Sequence, residues 1–272
     1  MSEYLAPGKL NLFLHLLGRR DDGYHELQTV FRLIDRADRI HLSARDDGEI
    51  TFSGPYGEDN LSFRAARLLK AETGSRLGAD IALEKRLPVG GGLGGGSSDA
   101  ATVLLGLNRL WRLGLGRARL QALGAKLGAD VPFFIFGKSA LGEGIGERLT
   151  ALDLPPAWYL VVTPQVTVST KEIFAAALTG QSKRLTIPPF FPGRGENDLE
   201  RVVTARYPEV AASLKWLRER AAQARMTGSG ACVFAEFANE TEARAIQSQM
   251  PRGMDGFVAQ GLDRHPLYDW AE

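Results

Sequence analysis

The segment that decides the fold is Pro88-Val89-Gly90-Gly91-Gly92-Leu93-Gly94-Gly95-Gly96-Ser97-Ser98-Asp99. It follows a strand-like run at 81–85 and precedes an apolar run at 100–111 that predicts a buried helix. Glycine has no β-carbon, so this backbone can curl tightly and point successive N–H groups at one anion. The following helix, expected to start near Ser98, would add unpaired N–H groups and the positive end of its dipole. The segment therefore predicts a phosphate-binding loop, because a flexible linker would not lead straight into a buried helix.

Two common nucleotide-binding patterns do not fit this loop. Its glycines satisfy the spacing GxGxxG, but six glycines in seven positions satisfy it trivially. The dinucleotide fold also needs an acidic residue about twenty positions on, and none lies between Asp99 and Asp130. Gly137-Lys138-Ser139 ends like a Walker A loop, but Pro132 stands where that motif needs glycine. The remaining expectation is a phosphate loop between a strand and a buried helix of an α+β domain.

The flanking sequence predicts a sheet first and mixed elements later. Alternating apolar runs predict strands at 10–16, 29–34, 39–43, 50–53 and 158–164, with a further strand around Val233. Helical spacing predicts helices at 60–70, with Asn60 as its cap, and at 119–127 and 209–223. A Pro/Gly-rich stretch at 187–195 predicts a surface loop. The break Leu154-Pro155-Pro156 divides the chain into an N-terminal unit, 1–153, and a C-terminal unit, 154–272.

Composition narrows the function classes. The 272 residues carry a net charge of +1, which gives no electrostatic case for nucleic acid or a membrane surface. The single cysteine, Cys232, lies in an apolar run and is expected in the core. The first ten residues, MSEYLAPGKL, lack the pattern of a signal peptide, and no apolar run approaches the length of a membrane span. A cytoplasmic protein is predicted.

Three segments together resemble the motifs of the GHMP kinases. The glycine segment, read from Pro88 to Ala101, is similar to the phosphate loop of that family. Ala6-Pro7-Gly8-Lys9-Leu10-Asn11-Leu12 resembles its first motif, and Met226-Thr227-Gly228-Ser229-Gly230 opens a segment similar to its third. The resemblance implies an ATP-dependent small-molecule kinase with an α+β, two-domain fold. An N-terminal ATP-binding domain, 1–153, and a smaller C-terminal α/β sandwich, 154–272, would enclose the active-site cleft.

Further segments resemble one branch of that family, which acts in the non-mevalonate pathway to isoprenoid precursors. They are 18–29, 59–61, 128–134, 168–174 and 196–199. The resemblance implies transfer of the γ-phosphoryl group of ATP to the 2-hydroxyl of a cytidine diphosphate sugar alcohol. The expected partners are these two small molecules, without nucleic acid or membrane. Gly8 and Gly90 to Gly92 depart from the pattern, since other members often carry alanine there.

The resemblance assigns the catalytic and acceptor-binding residues. Asp130 would be the base that accepts the hydroxyl proton. Lys9 would be its partner, holding the carboxylate ionised and stabilising charge on the transferring phosphoryl group. Chemistry alone leaves Asp130 equally acceptable as a helix cap or a turn carboxylate, and for Lys9 it favours an ordinary solvated lysine. The two residues Tyr24 and His25 would recognise the cytosine, by stacking and by hydrogen bonding. Asn11 and Thr170 would orient the hydroxyls or phosphates of the acceptor.

The same resemblance assigns the ATP site to the glycine loop. Its members are Pro88, Gly90, Gly91, Gly92, Leu93, Gly94, Gly95, Gly96, Ser97 and Ser98. Asn60 either touches the adenine or only caps its helix. Ser98 is the expected hydroxyl ligand of Mg²⁺, which keeps several waters and takes few protein oxygens; Ser97, Ser98 and Asp99 are also suitable helix caps. Gly95→Val is expected to weaken ATP binding while leaving folding nearly unaffected.

Two alternatives stay open: another GHMP kinase, such as a homoserine or mevalonate kinase, and a non-catalytic nucleotide-binding module. Tyr24 and His25 count against the first alternative, because homoserine and mevalonate carry no nucleobase. The pair of Lys9 and Asp130 counts against the second, because a module that only binds nucleotide has no need of a base and a cation.

Overall fold

The computed structural model describes residues 1–177 and 195–271. The strands in these residues are β1 Ser2–Arg19, β2 His25–Arg45, β3 Ile50–Ser53, β4 Gly78–Glu84, β5 Ala140–Gly144, β6 Arg148–Ala151, β7 Trp158–Thr163, β8 Arg225–Met226, β9 Val233–Phe237 and β10 Asp255–Leu262. The helices are α1 Leu61–Thr73, α2 Gly95–Leu110, α3 Arg117–Ala125, α4 Val131–Phe136, α5 Thr170–Ala176, α6 Glu200–Arg206, α7 Pro208–Arg218 and α8 Glu240–Gln247. The predicted loop at 187–195 lies, except for Gly195, outside the described residues.

The strands form one continuous sheet in the described part of the chain. Its order is β3-β4-β2-β10-β7-β9-β8, while β1 and β5 also pair with β2, and β6 pairs with β5. Strand β10 joins the two halves, because it pairs along β7 and reaches β2 through Gly261 opposite Ile34 and Leu262 opposite Leu33. Helices α1 and α2 pack against the first half, as the α+β prediction requires.

Two predicted strands are one. The runs at 29–34 and 39–43 belong to the single strand β2, which pairs with β1 along most of its length. The register places Pro7 opposite Ala37 but Gly8 opposite Ile34, so Asp35 and Arg36 are extra residues on β2. They form a bulge, which interrupts the apolar alternation without ending the strand. The separation of the two runs in the prediction was therefore wrong.

The helix after the glycine loop starts earlier than predicted. Helix α2 begins at Gly95, and its N-cap is Gly94 with φ of 69°. The N–H of Ser98 already donates to the carbonyl of Gly94 at 2.9 Å. Ser97, Ser98 and Asp99 are thus inside the first turns and do not cap the helix. Burial of the helix outweighs the low helix propensity of its two leading glycines.

Helix ends elsewhere differ from the prediction by a few residues. The run at 119–127 is helix α3, Arg117–Ala125, and the run at 209–223 shortens to α7, Pro208–Arg218. The cap at Asn60 is confirmed, since its side chain accepts a hydrogen bond from the N–H of Ser62 at 2.8 Å. Cys232 is buried as expected, and burial raises the pKa of its thiol to about 12.

The last residues return to the first half of the molecule. Leu267 and Ala271 belong to the core cluster formed by α2, α4 and the first strands. The ring of Trp270 meets that of Tyr4 edge to face, with centroids 5.3 Å apart. The guanidinium of Arg117 donates to the carbonyl of Tyr268 at 2.6 Å and to that of Ile135 at 2.6 Å. The domain division at residue 154 stays a prediction, and the tail beyond β10 packs on the N-terminal side of it.

Candidate active site

A cavity of 660 Å³ opens beside the glycine loop. Its walls combine the loop itself, the middle of β1 and β2, the start of α1, the segment before α4, the start of α5 and the turn after β8. The lining residues that the sequence analysis had assigned are Lys9, Asn11, Asn60, Pro88, Gly90, Gly91, Gly92, Leu93, Gly94, Gly95, Gly96, Ser97, Asp130 and Thr170. The fold therefore brings residues from five separate segments of the chain to one cavity.

Close approach explains why the loop needs glycine. Gly92 has φ of 76°, and a β-carbon on it would lie 2.3 Å from the carbonyl oxygen of Thr227. A β-carbon on Gly91 would lie 2.6 Å from Sγ of Cys232. Backbone hydrogen bonds join the same two segments, from Ala231 to Gly90 and from Cys232 to Gly91, both at 3.1 Å. The third motif thus packs directly against the phosphate loop.

Asn197 holds the turn of that third motif. Its amide nitrogen donates to the carbonyls of Met226 at 2.9 Å and Gly228 at 2.8 Å, and its oxygen accepts from the N–H of Leu199 at 3.0 Å. The neighbouring N–H of Leu14 donates to the carbonyl of Glu196 at 2.9 Å, which attaches this segment to β1. Asn197 is buried. This side chain fixes the position of Gly228 and Ser229, which line the cavity.

Lys9 and Asp130 form an ion pair in the cavity, with Nζ and Oδ2 3.4 Å apart. Lys9 is only 4% exposed, and its ammonium also donates to Oδ1 of Asn11 at 2.5 Å. Asp130 stands at the N-cap position of α4, but its side chain makes no capping hydrogen bond. Asp130 is about one-third exposed, at 36%. Its carboxylate is therefore available to a group in the cavity.

A second charged cluster, formed by Asp38, Lys85 and Asp99, connects the two ends of the glycine loop to β2. The ammonium of Lys85 lies 2.5 Å from Oδ2 of Asp38 and 2.8 Å from Oδ2 of Asp99. The other oxygen of Asp38 accepts from the N–H groups of Arg86 and Leu87. Burial raises the pKa of Asp99 to about 7, with the nearby charge of Asp38 adding to the effect and Lys85 opposing it. The cluster joins β2, the end of β4 and α2, so it fixes both ends of the glycine loop.

Asn60 and Ser98 are placed less directly at the cavity than the sequence analysis expected. Asn60 lines the cavity, but its oxygen caps α1 and its amide nitrogen donates to the carbonyl of Pro55 at 3.0 Å. Ser98 is fully buried, and it is Ser97 that lines the cavity. The hydroxyl of Ser98 has no hydrogen-bond partner among the described residues. Their roles towards ATP and Mg²⁺ stay predictions.

The predicted acceptor residues divide into two groups. Thr170 lines the cavity and shares a hydrogen bond of 2.8 Å with the hydroxyl of Ser229. His25 is buried next to the cavity wall, and its ring lies 5.6 Å from that of Phe174, which does line the cavity. Burial, with the charge of Arg19, lowers the pKa of His25, so the neutral imidazole is favoured at neutral pH. Tyr24 is 59% exposed on the turn beyond and is not part of the cavity wall.

Comparison with known proteins identifies the class. The model of the GHMP kinases N terminal domain matches residues 60–138, and that of the GHMP kinases C terminal domain matches residues 192–256. A crystal structure of homoserine kinase from Cytophaga hutchinsonii superposes with a TM-score of 0.74 at 17% identity, covering 97% of this chain and 95% of that one. This likeness shows the fold alone. The chain belongs to the GHMP kinases, and the expectations of an α+β, two-domain GHMP kinase fold and of an ATP-dependent small-molecule kinase are confirmed.

Similarity within the family is much higher to one kind of kinase. A 4-diphosphocytidyl-2-C-methyl-D-erythritol kinase from Nitrosospira multiformis is 60% identical over 98% of this chain and 93% of that protein. The protein of the same name from Thiobacillus denitrificans is 60% identical over 97% of both chains. A crystal structure of 4-(cytidine 5'-diphospho)-2C-methyl-D-erythritol kinase has a TM-score of 0.85 at 36% identity, covering 96% of this chain and 99% of that one. No helix of the described residues is long and apolar enough to span a bilayer.

Sequence reasoning missed some residues of this site. Asp38 and Lys85 carry no recognisable motif, and they meet only because β2 and β4 pair. Phe174 stood inside a segment that had drawn attention, 168–174, but nothing in its spacing placed it against His25. The available signal was an aromatic side chain four residues after Thr170 in that segment.

Proposed function

We propose that this protein transfers the γ-phosphoryl group of ATP to the 2-hydroxyl of 4-diphosphocytidyl-2-C-methyl-D-erythritol, giving the 2-phosphate and ADP. The observation that carries the proposal is the pairing of Lys9 with an accessible Asp130 in a cavity bounded by the glycine loop. Relatives at 60% identity that carry the name of this kinase support the choice of acceptor.

The chemistry needs positioning and charge stabilisation more than covalent help. Asp130 accepts the proton of the 2-hydroxyl while the oxygen of that hydroxyl forms a bond to the γ-phosphorus. The bond between that phosphorus and the oxygen bridging to the β-phosphate breaks, and the electron pair leaves with ADP. The ammonium of Lys9, held by Asn11, stabilises the negative charge on the equatorial oxygens.

Backbone N–H groups of the glycine loop would donate hydrogen bonds to the ATP phosphates. Helix α2 begins at Gly95, so the N–H groups of its first turn are available to an anion there. Mg²⁺ would be held chiefly by the nucleotide phosphates, with the unpartnered hydroxyl of Ser98 as its protein ligand. Neutralisation of phosphate charge during transfer is the chemistry that a magnesium ion would supply there.

Recognition of the cytosine rests on an aromatic pair beside the acceptor end of the cavity. The neutral ring of His25 can hydrogen-bond the polar edge of the base, and Phe174 offers a π face to it. Tyr24, exposed on the adjacent turn, would close over the base from outside. Thr170 and Ser229 would bind the hydroxyls or phosphates between the base and the reacting centre.

An ADP-release assay with a panel of acceptors tests this function. We expect turnover with 4-diphosphocytidyl-2-C-methyl-D-erythritol, with phosphorus NMR placing the new phosphate on the 2-hydroxyl. Methylerythritol 4-phosphate, homoserine and mevalonate should be poor acceptors, because none offers a nucleobase to His25 and Phe174. Equal turnover with methylerythritol 4-phosphate would contradict the role of the aromatic pair. Turnover only with homoserine or mevalonate would favour the alternative GHMP activities, and ATP binding without any turnover would favour a binding module.

A cytoplasmic location and the absence of nucleic-acid binding stay predictions.

A further inference from the structure

A chain of buried polar groups begins at Lys9 and leads away from the cavity. The ammonium of Lys9 donates to Oδ1 of Asn11 at 2.5 Å, and Nδ2 of Asn11 donates to Oγ1 of Thr29 at 2.8 Å. The hydroxyl of Thr29 in turn donates to the carbonyl of Phe13 at 2.5 Å. The exposed fractions of Lys9, Asn11 and Thr29 are 4%, 2% and 0%. The mechanism above uses Lys9 and Asn11 and gives no part to Thr29.

The chemistry of these groups allows the chain only one direction. A carbonyl oxygen can only accept, so the single hydroxyl proton of Thr29 is committed to Phe13. Towards Asn11 the same hydroxyl can therefore only accept, and the NH2 group of the amide must face it. The amide oxygen of Asn11 is then left facing Lys9, whose ammonium can only donate. With the amide turned the other way, donors would meet donors at Lys9.

Strand pairing holds Thr29 in this position. It lies in β2 where that strand is paired with β1 on one side and with β5 on the other. The register of β1 shifts between Asn11 and Phe13, so Leu12 is an extra residue on β1 there. Bulges of this kind occur next to active sites, where they re-aim side chains. Thr29 is also β-branched, which restricts the rotation of its side chain and favours one direction of the hydroxyl.

The position of the ammonium decides which groups it can reach. Nζ of Lys9 lies 3.4 Å from Oδ2 of Asp130 and 5.6 Å from the centroid of the Phe31 ring. If the amide of Asn11 turned its NH2 group to the ammonium, the two groups would repel each other and Lys9 would move. Electrostatic stabilisation depends on donors that are in place before the reaction. Thr29 itself is buried, and its hydroxyl is engaged at both ends, so it offers no contact to a substrate.

We propose that Thr29 is a positioning residue for the reaction: its hydroxyl fixes the amide of Asn11, and the oxygen of that amide fixes the ammonium of Lys9 at the reacting centre. The proposal rests on the proposed function for the part that Lys9 plays in phosphoryl transfer. It deepens that function by adding a residue that touches neither substrate.

Steady-state kinetics of single variants tests the role of the hydroxyl. Thr29→Val replaces it by a methyl group and should lower kcat by about 5- to 100-fold, the effect of leaving buried hydrogen-bonding groups unpaired, with the KM for ATP nearly unchanged. Thr29→Ser keeps the hydroxyl and should have a kcat near the native value. Thr102→Val is the matched control, because Thr102 is buried in α2 and its hydroxyl has no hydrogen-bond partner among the described residues. Thermal melts check folding, and Thr29→Ala is a second variant without the hydroxyl.

A double-mutant cycle with Asn11→Ala distinguishes positioning from a general loss of structure. If Thr29 acts through Asn11, Thr29→Val should lower kcat no further once residue 11 is alanine. An equal fold-loss in both backgrounds would mean that Thr29 acts by another route and would overturn the proposal. A native kcat in folded Thr29→Val would overturn it as well. So would a raised KM for the acceptor with unchanged kcat, because Thr29 would then be a substrate contact.

An NMR measurement without substrate keeps this proposal apart from the proposed function. The side-chain NH2 resonances of Asn11, identified by their loss in Asn11→Ala, should shift in Thr29→Val and stay in place in Thr102→Val. Unchanged resonances in folded Thr29→Val would contradict the hydrogen bond on which the proposal stands. Turnover of the native protein with a different acceptor would overturn the proposed function alone, since the kinetic comparison can be made with that acceptor. A native protein without any turnover would overturn both.

Discussion

The proposed recognition of the cytosine rests on single residues, which differ in whether they line the cavity. Phe174 lines the cavity beside His25, whereas Tyr24 lies on an exposed turn. Phe174→Ala should raise the KM for the cytidyl acceptor by about 5- to 100-fold if stacking is the main term. Tyr24→Ala should raise it by no more than Phe174→Ala, because its ring is free of the cavity wall before the acceptor binds. Both variants should keep the native KM for ATP; a rise in that KM alone would place the cytosine elsewhere.

Residue identity was predictable from the sequence where a motif is continuous. The glycines, Lys9 and Asp130 were found in this way, and all of them line the cavity. The resemblance had also implied the pairing of Lys9 with Asp130, and the structure has it as an ion pair of 3.4 Å. The cluster of Asp38, Lys85 and Asp99 was not predictable, because the pairing of β2 with β4 and the packing of α2 on β2 bring these distant residues together.

At the scale of elements, the glycine loop can be tested for anion binding without disturbing the fold. Gly95, the position favoured by the sequence, is unsuitable, because a β-carbon there would lie 3.1 Å from Nζ of Lys85 and 3.3 Å from Oδ2 of Asp38. Gly96 is exposed, and a β-carbon on it would meet only Leu61, at 3.8 Å. Gly96→Val keeps its backbone N–H but adds a branched side chain where the phosphates would lie. It should therefore remain folded and weaken ATP binding by about 10- to 100-fold, the cost of displacing one charge-assisted hydrogen bond. Titration of a fluorescent ATP analogue measures the affinity, and native-like affinity in the folded variant would place the phosphates elsewhere.

Gly92→Ala is the matched contrast within the same loop. Gly92 has a φ of 76°, and an added β-carbon would lie 2.3 Å from the carbonyl oxygen of Thr227, too close for a stable contact. The left-handed backbone alone should lower the free energy of unfolding by about 1–2 kcal/mol, and the contact should lower it further. Urea denaturation checks this. A variant as stable as the native protein would mean that the third motif does not pack on the loop as described.

Element boundaries show where local sequence patterns fail. A bulge and a turn both interrupt alternation, so β2 was predicted as two strands although Asp35 and Arg36 only lengthen it locally. The start of α2 was predicted late, because glycine propensity opposes a helix at Gly95 while the packing that favours it involves distant residues. Asn60, in contrast, was predicted as a cap because capping is local.

At the scale of the whole molecule, the C-terminal tail joins the N-terminal core through a buried histidine. Its Nδ1 accepts from the N–H of Leu267 at 3.0 Å, and burial, with the charge of Arg117, lowers the pKa of His265 to about 3. In the unfolded chain the imidazole of His265 binds a proton below a pH of about 6.5, whereas in the folded protein it stays neutral until the pH is far lower. The tail has no helical or strand periodicity, so its packing against the N-terminal core was not predictable from the sequence.

Acidification should therefore destabilise the protein through His265. As the pH falls from about 6.5 towards 3, this residue should lower the free energy of unfolding by up to about 1.4 kcal/mol per pH unit. His265→Asn keeps an acceptor near Leu267 but cannot be protonated in this range, so its stability should fall less steeply. Urea denaturation of both proteins at several pH values isolates the difference. Parallel pH profiles would show that His265 is not buried in its neutral form.

The central claim is that this cavity transfers a phosphoryl group with Asp130 as base, and the rate of the Asp130→Asn variant tests it most directly. The side chain of Asp130 makes no capping hydrogen bond in the native protein. The variant should therefore fold and bind a fluorescent ATP analogue nearly as the native protein does. Asp59→Asn is the control, since it removes another exposed carboxylate from the wall of the same cavity. With the cytidyl acceptor, kcat should fall by about 10²–10⁴-fold in Asp130→Asn and stay near the native value in Asp59→Asn. Near-native turnover by folded Asp130→Asn would contradict the assignment of the base and, with it, the mechanism built on this site.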